Sequence, residues 1–343
     1  MFLDVLGIDI GAESIKLALV SNKRVKQVAE VFYPEDYIRD GWITNTNRMG
    51  LLLRNAMQEE GFRVRRAAVQ LPGELSYVHT ASMPLMNEKQ LDLNLRFAFT
   101  DYINDNLDNY AFDYSMLTTP KEIKALLAEP PSEDGEEKTM DFLAVAAPTA
   151  LLSQFREVTD RAKLFLDRAA PPECSCIALA RTAIEAMDEP DPNREFCIID
   201  LASRAIRLYM LRGERHVVTR VLETGMRAMD IPVSNAFHVK PDDAHQLYRI
   251  NHDNCHALDG CVSIYNDIAL ELMRTVNFYK FSHQDSTVSD IWLIGGGAAS
   301  KPLVRILENT LEMKAHSAAE LVPGAENIEN SFCFAQAVGA ALC

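Results

Sequence analysis

Residues 8–17 read IDIGAESIKL, and residues 199–208 match them without a gap as IDLASRAIRL. Isoleucine, aspartate, a small turn residue, isoleucine, a basic residue and leucine occupy the same places in both stretches. Each stretch has apolar runs on both sides of a short turn, which is typical of a β-hairpin buried in a sheet. The recurrence in opposite halves of the chain predicts two related lobes.

The turn of each hairpin is suited to a phosphate group. Small turn residues leave backbone N–H groups accessible to an anion, and an aspartate at the end of the first strand can hold a metal ion through water. A single turn of this kind is explained more simply by the preference of Asp and Gly for turns. Two copies favour a pair of facing loops that clamp a di- or triphosphate.

A third pattern follows in residues 289–298, SDIWLIGGGA, where an apolar strand ends in three glycines. A helix is predicted to begin near Lys301-Pro302. Glycines allow a flat ring or a phosphate to approach the backbone, and a helix N-terminus favours anions. Any strand-to-helix turn can use glycine, so this pattern gains weight only as the third of its kind.

Composition narrows the classes of function. The 343 residues are 48% hydrophobic, which is enough for two domains with their own cores. With 49 Asp+Glu against 34 Lys+Arg, the formal charge of -15 repels nucleic acid, so none is expected as a partner. The seven cysteines lack zinc-site spacing and suggest reduced thiols in a cytosol. Charged residues interrupt the apolar N-terminus, so any membrane contact is expected to go through a partner.

Predicted strands and helices continue from the first hairpin to the change of lobe. The first lobe is predicted to continue with a strand at Val25–Phe32, a helix from Thr46 to Gly61 and a short strand in RRAAVQLPG. Between Ser76 and Pro171 the pattern gives strands in SYVHTASMPL, FDYSMLTT and DFLAVAAP, and helices near 88–103 and 150–166. The Pro-rich acidic segment 128–138 is interpreted as a mobile hairpin loop. DEPDPN at 188–193 marks the change of lobe.

Taken together, these segments resemble the PilM family of actin-like type IV pilus assembly proteins, which is related to FtsA. GIDIGAESIKLALV looks like the first phosphate loop of that family, IIDLASRAIRLYML like its second and WLIGGGAASKPLVRIL like its adenosine loop. The match extends over nearly the whole chain through LPG at Leu71, YINDNLDNYAFDYSML, CIALAR, KPDDAHQLYR and ELMRTVNFYKFS.

The resemblance implies an α/β, actin-like (RNase H-like) fold of two lobes with duplicated sheets and a small FtsA/PilM-type subdomain. The first lobe would comprise residues 1–75, with a return near 172–190 and a C-terminal helix at 332–343. Residues 76–171 would form the small subdomain, and residues 191–331 would form the second lobe with the adenosine site.

The resemblance also implies a site for ATP and Mg²⁺. Asp9 and Asp200 would hold the metal through water, and Lys16 would reach a phosphate oxygen. The other implied nucleotide-binding residues are Gly11, Ala12, Glu13, Ser14, Ser203, Gly225, Glu271, Arg274, Gly295, Gly296 and Gly297. On the residues alone, Glu271 and Arg274 are more simply an exposed ion pair, three positions apart on a helix.

The second loop departs from the family pattern, since Ala202 replaces the usual glycine and Arg204 follows Ser203. The Cβ of Ala202 restricts the approach of a terminal phosphate, whereas Arg204 either supplies a cation or faces solvent. Glu173 is the positional candidate for orienting an attacking water, and a plain loop carboxylate is the alternative. ATP binding is therefore expected, with at most slow hydrolysis.

The resemblance implies a cytoplasmic protein held at the inner face of the membrane by the N-terminal tail of a PilN-like partner. Platform proteins of a pilus or a type II secretion system are the other expected partners, and self-association stays open. The alternative from another class is a sugar or acid kinase of the same superfamily, although no sugar-site motif is present. A polymer-forming division protein is a third interpretation.

Overall fold

The computed structural model describes residues 4–128 and 138–343, so most of the predicted acidic loop at 128–138 lies outside the described residues. Two five-stranded sheets and a three-stranded sheet account for most strands. The strands are β1 Val5–Ile10, β2 Ser14–Ser21, β3 Arg24–Phe32, β4 Ile38–Arg39, β5 Trp42–Ile43, β6 Arg66–Gln70, β7 Tyr77–Pro84, β8 Tyr110–Met116, β9 Thr139–Pro148, β10 Phe165–Ala170, β11 Glu195–Leu201, β12 Ile206–Arg212, β13 Arg215–Leu222, β14 Asp290–Ile294 and β15 Lys314–Ser317.

Helices cover the sheets and separate their strands along the chain. Their bounds are α1 Thr46–Glu59, α2 Glu88–Asn94, α3 Pro120–Ala128, α4 Thr149–Arg161, α5 Pro172–Glu185, α6 Asp230–Phe237, α7 Pro241–Arg249, α8 Asp259–Ser282, α9 Lys301–Leu311 and α10 Ala335–Leu342. Capping fixes several starts: the Asn45 side chain accepts a hydrogen bond from the Arg48 amide, and Ser300 caps α9 in the same way.

The two large sheets repeat one topology, as the duplicated sequence predicts. The first has the order β10-β6-β1-β2-β3, and the second has the order β15-β14-β11-β12-β13 when it is read in the same direction. The central strands β1 and β11 are buried on both faces, because apolar residues run through them almost without interruption. Each pairs antiparallel with the next strand and parallel with a later one.

Residues 165–170 correct the predicted boundary of the small subdomain. The predicted helix at 150–166 ends at Arg161, and β10 follows and pairs parallel with β6 in the first sheet. Leu151, Phe155 and Val158 of α4 share their core with residues of β1 and α1. The first lobe is therefore rejoined near residue 149 and not near 172. Periodicity missed β10 because FLDRAA has no apolar alternation.

The remaining small subdomain is built on the three-stranded antiparallel sheet β7-β9-β8. Its own core includes Leu91, Phe99 and Phe142. The helix predicted over 88–103 is shorter than expected, because α2 ends at Asn94 and a 3₁₀ segment, Leu95–Phe99, follows.

The C-terminal helix α10 completes the first lobe and packs on α5 and β1. Glycines permit this close packing: a Cβ on Gly7 would lie 1.8 Å from the carbonyl oxygen of Ala337, and one on Gly339 would lie 2.6 Å from that of Ser175. Among the described residues, no helix combines the length and the apolar character needed to cross a bilayer.

Gly7→Ala should lower the free energy of unfolding by about 2 kcal/mol or more, because β1 and α10 must move apart to accept a methyl group. Gly11→Ala in the same hairpin is the matched control, since its nearest neighbours would be at 3.4 Å and 3.5 Å. The control should change stability by less than about 0.5 kcal/mol. Urea denaturation of both variants measures the difference, and equal effects would contradict this account of the packing.

Candidate functional site

A cleft of about 840 Å³ opens between the two large sheets. It is lined by the turn of the first hairpin (residues 11–14, the first loop), the turn of the second hairpin (residues 202–205, the second loop) and Gly295–Gly297, the glycine turn. The sequence repeat therefore brings its two loops to one place. Of the predicted residues, those that line the cleft are Asp9, Gly11, Ala12, Glu13, Ser14, Lys16, Asp200, Ser203, Gly295, Gly296 and Gly297.

Asp9 is the last residue but one of β1 and lies opposite Lys16 on β2 in the antiparallel register. The Lys16 Nζ is 4.0 Å from Asp9 Oδ2, and both side chains are largely buried. Burial raises the pKa of Asp9 above its ordinary value, and the charge of Lys16 opposes this rise. Burial also disfavours a charged Lys16, but Asp9 and Glu30 outweigh it and raise the pKa of the lysine. The pair thus carries a fixed cation at the cleft.

Asp200 occupies the equivalent place on β11, opposite Arg207 on β12. Burial raises its pKa, Arg207 opposes the rise, and the negative charge of Asp9 adds to it. Gln336 of α10 donates to Asp200 Oδ2 at 3.3 Å, while its own Oε1 accepts no hydrogen bond from the described residues. Arg207 reaches back to the first lobe and donates to Glu74 at 2.9 Å.

The first loop is held by its own hydrogen bonds. The Gly11 amide donates to the Ser14 carbonyl oxygen at 3.0 Å, and the Ser14 hydroxyl donates to Glu30 at 2.6 Å. The Tyr33 hydroxyl donates to the Gly11 carbonyl oxygen. The Gly11 amide is therefore satisfied within the turn, and Ala12 and Glu13 form its tip.

The side chain of Glu13 crosses to the second lobe. The Ser203 hydroxyl donates to Glu13 Oε1, the Arg227 Nε lies 3.0 Å from the same oxygen, and His245 Nε2 lies 2.6 Å from Oε2. His245 is held from behind by Asp230, whose Oδ1 is 2.8 Å from Nδ1. We call the contacts of Glu13 with Ser203, Arg227 and His245 the Glu13 bridge.

The Glu13 bridge shifts the pKa of both its acidic and its imidazole member. Burial alone would raise the pKa of Glu13, but hydrogen bonds from His245 and Ser203 lower it from 4.5 to about 2. Burial would lower the pKa of His245, but its bonds to Asp230 and Glu13 raise it from 6.5 to about 9. His245 is thus an imidazolium at neutral pH, and both of its ring nitrogens donate.

Gly295 and Gly297 of the glycine turn have no room for a side chain. Gly295 has a φ of +81°, and a Cβ there would lie 2.4 Å from Asp200 Oδ1. A Cβ on Gly297 would lie 2.4 Å from the Met226 sulfur, whereas one on Gly296 would meet open space. The glycine turn therefore packs directly against the strand end that carries Asp200.

Gly225 supports the second loop from outside the cleft lining. A Cβ on it would lie 2.3 Å from the Ser203 carbonyl oxygen, so only glycine lets the two backbones meet. The amides of Met226 and Arg227 donate to the carbonyl oxygens of Ala202 and Ser203, each at 3.0 Å. These bonds fix Arg227 beside the second loop.

Two predicted side chains, Glu271 and Arg274, are not brought to the cleft. They lie on α8, are exposed, and pair with each other at 3.1 Å, and neither lines the cleft. The surface ion pair suggested by their spacing forms, and the adenosine role implied by the resemblance stays a prediction. The helix turns these residues outward, while Leu272 and Val276 face the core.

Glu173 lies next to the cleft but not in its lining. Burial raises the pKa of its carboxyl group, and the Thr219 hydroxyl donates to it at 3.1 Å. Thr219 is in turn 2.9 Å from His216 Nε2. The contacts that Glu173 makes here are structural, since they tie α5 to β13.

The sequence interpretation missed His245, which lines the cleft, and also Arg227 and Asp230, which contact Glu13 and His245 from outside the lining. His245 lies in KPDDAHQLYR, a segment that contributes to the family resemblance, but the resemblance assigns this histidine no role. The only local signal was a histidine on the apolar face of α7, and such a residue is usually a satisfied core side chain. Its importance depends on Glu13, which is 232 positions away in the chain.

The pH dependence of stability follows from the signs of these two shifts. A raised His245 pKa stabilises the fold fully below about pH 6.5, and the contribution is lost as the pH rises through about 9. A lowered Glu13 pKa stabilises it above about pH 4.5, and the contribution is lost as the pH falls through about 2. Both contributions are complete between about pH 4.5 and 6.5.

Glu13→Gln should lower the pKa of His245 from about 9 and destabilise the chain most in that pH window, because the imidazolium loses one anionic partner. NMR titration of the imidazole and urea denaturation at several pH values measure the two effects. Glu271→Gln, which removes a carboxylate from the exposed surface, is the matched control and should change neither. An unaltered titration of His245 in Glu13→Gln would contradict the bridge.

Comparison with known proteins agrees with this architecture. Over 98% of this chain and 97% of the other, the structure is similar to that of a PilM-PilN type IV pilus biogenesis complex, with a TM-score of 0.80 and 20% identity. The ethanolamine utilization protein EutJ from Carboxydothermus hydrogenoformans matches with a TM-score of 0.59 and 11% identity, covering 100% of this chain and 89% of that chain.

MreB5 of Spiroplasma citri bound to ADP matches with a TM-score of 0.51 and 10% identity, over 98% of this chain and 94% of that one. A search of curated proteins finds no match. The structural similarities establish the actin-like fold that the duplicated hairpins predict. A family profile described as type IV pilus assembly protein PilM matches residues 7–322. The chain belongs to the PilM family of type IV pilus assembly proteins.

Proposed function

We propose that the cleft binds ATP with Mg²⁺ and that its occupancy controls how the chain binds the N-terminal cytoplasmic tail of a PilN-like membrane protein. The observation that carries the proposal is the convergence of both Asp-containing hairpins and the glycine turn on one cleft of about 840 Å³. A cavity of this size is in the range of small-molecule sites. The fold is that of MreB5, which was determined bound to ADP.

The residues of the cleft fit a nucleotide and a divalent cation. Asp9 and Asp200 are carboxylates whose burial raises their pKa and whose charges repel each other, and a cation held through water between them would relieve both costs. Lys16 would pair with a phosphate oxygen, and the glycine turn leaves space for a flat ring beside Gly296. Bound Mg²⁺ would supply charge neutralisation for the phosphates.

The small subdomain offers a surface for a partner. Leu93 and Phe97 are four positions apart and are 72% and 63% exposed, and Tyr102 nearby is 53% exposed. Exposed apolar side chains of this size are typical of protein contacts when they cluster. The similar complex contains PilN, which makes a PilN-like tail the proposed occupant. Such a partner would hold the chain at the inner face of the cell membrane.

Contacts of the small subdomain with both lobes support the dependence on nucleotide. Its strand β9 continues directly into α4 of the first lobe, while the Thr80 hydroxyl of β7 donates to the His216 carbonyl oxygen of β13 at 3.0 Å. Arg215 of the second lobe lies 3.7 Å from Asp141 of β9. A change in the separation of the lobes would therefore move the small subdomain relative to at least one of them.

We propose that the cleft binds ATP and hydrolyses it slowly at most. Glu173, the sequence candidate for orienting water, bonds to Thr219 and is absent from the cleft lining among the described residues. Among the described residues of the cleft, none favours the alternative of a sugar or acid kinase.

Asp9→Ala should weaken the binding of Mg²⁺-ATP by about tenfold or more, because the cation loses one of its two buried carboxylates. Isothermal titration calorimetry of wild type and variant measures the effect. Glu271→Ala is the control and should leave the affinity unchanged, since this exposed side chain is outside the cleft. Equal affinities for Asp9→Ala and wild type would contradict the site.

A synthetic peptide from the N-terminal tail of the candidate PilN-like protein tests the partner. We expect its affinity to change severalfold when Mg²⁺-ATP is added to wild type and to be unaffected by ATP in Asp9→Ala, since the altered cleft no longer responds. Fluorescence anisotropy of the labelled peptide measures this. Identical peptide affinities with and without ATP in wild type would contradict nucleotide control and leave only a scaffold.

A further inference from the structure

The Glu13 carboxylate is bound as an anion by the second lobe. A hydroxyl from Ser203, the guanidinium of Arg227 and the imidazolium of His245 surround it, with contacts of 3.0 Å for Arg227 and 2.6 Å for His245. Only 19% of the Glu13 side chain and 6% of the His245 side chain are exposed. The bridge is thus an enclosed ion pair that ties the first loop to the second lobe.

Each of the three partners of Glu13 has a further contact, and for Arg227 it is an ion pair with Glu35 of the first lobe. Asp230 holds the far nitrogen of His245 at 2.8 Å, and the Arg227 amide donates to the Ser203 carbonyl oxygen at 3.0 Å. Gly225 packs against the second loop with no space for a side chain. The second lobe therefore presents the Ser203 hydroxyl and the His245 imidazolium to an anion beside the second loop.

A terminal phosphate would use the same donors as this carboxylate. Hydroxyl, guanidinium and imidazolium groups are strong partners for phosphate oxygens, and charge-assisted bonds to either anion are short. The two anions repel each other and compete for the same N–H and O–H groups, so they cannot share the site. A nucleotide that extends a phosphate to the second loop must displace Glu13.

We propose that Glu13 is a built-in competitor for the terminal phosphate, and that it makes the cleft select diphosphate over triphosphate. Ser203 and His245, which line the cleft, form the subsite for that phosphate, and Glu13 occupies it until a triphosphate enters. This inference rests on the proposed binding of nucleotide. Because the bridge joins the two lobes, entry of a triphosphate also replaces a protein contact between them.

The test compares the affinities of Mg²⁺-ADP and Mg²⁺-ATP by calorimetry in wild type, Glu13→Gln and Glu223→Gln. Glu13→Gln should raise the affinity for ATP about tenfold relative to ADP, because the competing charge is gone. Glu223 is an exposed acid of the cleft lining, so Glu223→Gln removes the same charge and should shift both nucleotides equally. An unchanged ratio of the two affinities in Glu13→Gln would overturn the proposal.

A double substitution shows whether the donors are shared. In the Glu13→Gln background, His245→Gln should weaken the binding of ATP about tenfold and the binding of ADP by less than about twofold. The reason is that only the terminal phosphate contacts the imidazolium. If ATP binds equally well with and without His245 in that background, Glu13 acts only by general repulsion and the subsite assignment is overturned.

A measurement without nucleotide tests the Glu13 bridge independently of the proposed binding of ATP. Amide hydrogen exchange at residues 11–14 and 202–205 should be faster in Glu13→Gln than in wild type, because the bridge no longer holds the two loops together. Unchanged exchange would overturn the bridge. Faster exchange together with no binding of either nucleotide to any variant would contradict the proposed function, and the selectivity assignment would fall with it.

Discussion

Two aspartates, Asp9 and Asp200, each one residue before the end of a central strand, are the constraint on which the cleft depends. A carboxylate taken out of water needs a partner, and each aspartate finds one on the adjacent strand, Lys16 for Asp9 and Arg207 for Asp200. A shift of either hairpin by one residue would turn the basic side chain to the opposite face of the sheet. Charge and register therefore reinforce each other in both lobes.

The second lobe is tied to the first across the cleft through side chains of opposite charge. Glu13 reaches His245 and Arg227 from the first loop, while Arg207 reaches Glu74 in the opposite direction. These links are short and partly enclosed, and they involve groups whose charges depend on their neighbours. The contacts between the lobes are thus of the same type that an anionic ligand would disturb.

The sequence predicts some strands of the fold and not others, and the difference has a physical explanation. The two hairpins were predictable because their apolar runs are long and their turns are short, so local pattern and final structure coincide. In contrast, β15 was missed because Lys314–Ser317 is short and lies at a sheet edge, where alternation is not required. The boundary near residue 149 depends on pairing with β6, which is distant in sequence.

The site was predicted where it depends on backbone geometry and missed where it depends on long-range contacts. Gly295 is required by its φ of +81° and by the Asp200 carboxylate, and a glycine after a strand carries that information locally. The role of the Glu13 side chain depends on residues more than 180 positions away. Glu271 and Arg274, which were assigned by resemblance, lie outside the cleft because α8 directs them outward.

A crystal structure of the chain with Mg²⁺ and a non-hydrolysable ATP analogue tests the central claim most directly. The account predicts phosphates between residues 11–14 and 202–205, the metal near Asp9 and Asp200, and Glu13 turned away from Ser203 and His245. Phosphates bound elsewhere, or a Glu13 bridge that stays intact beside a fully occupied cleft, would contradict it.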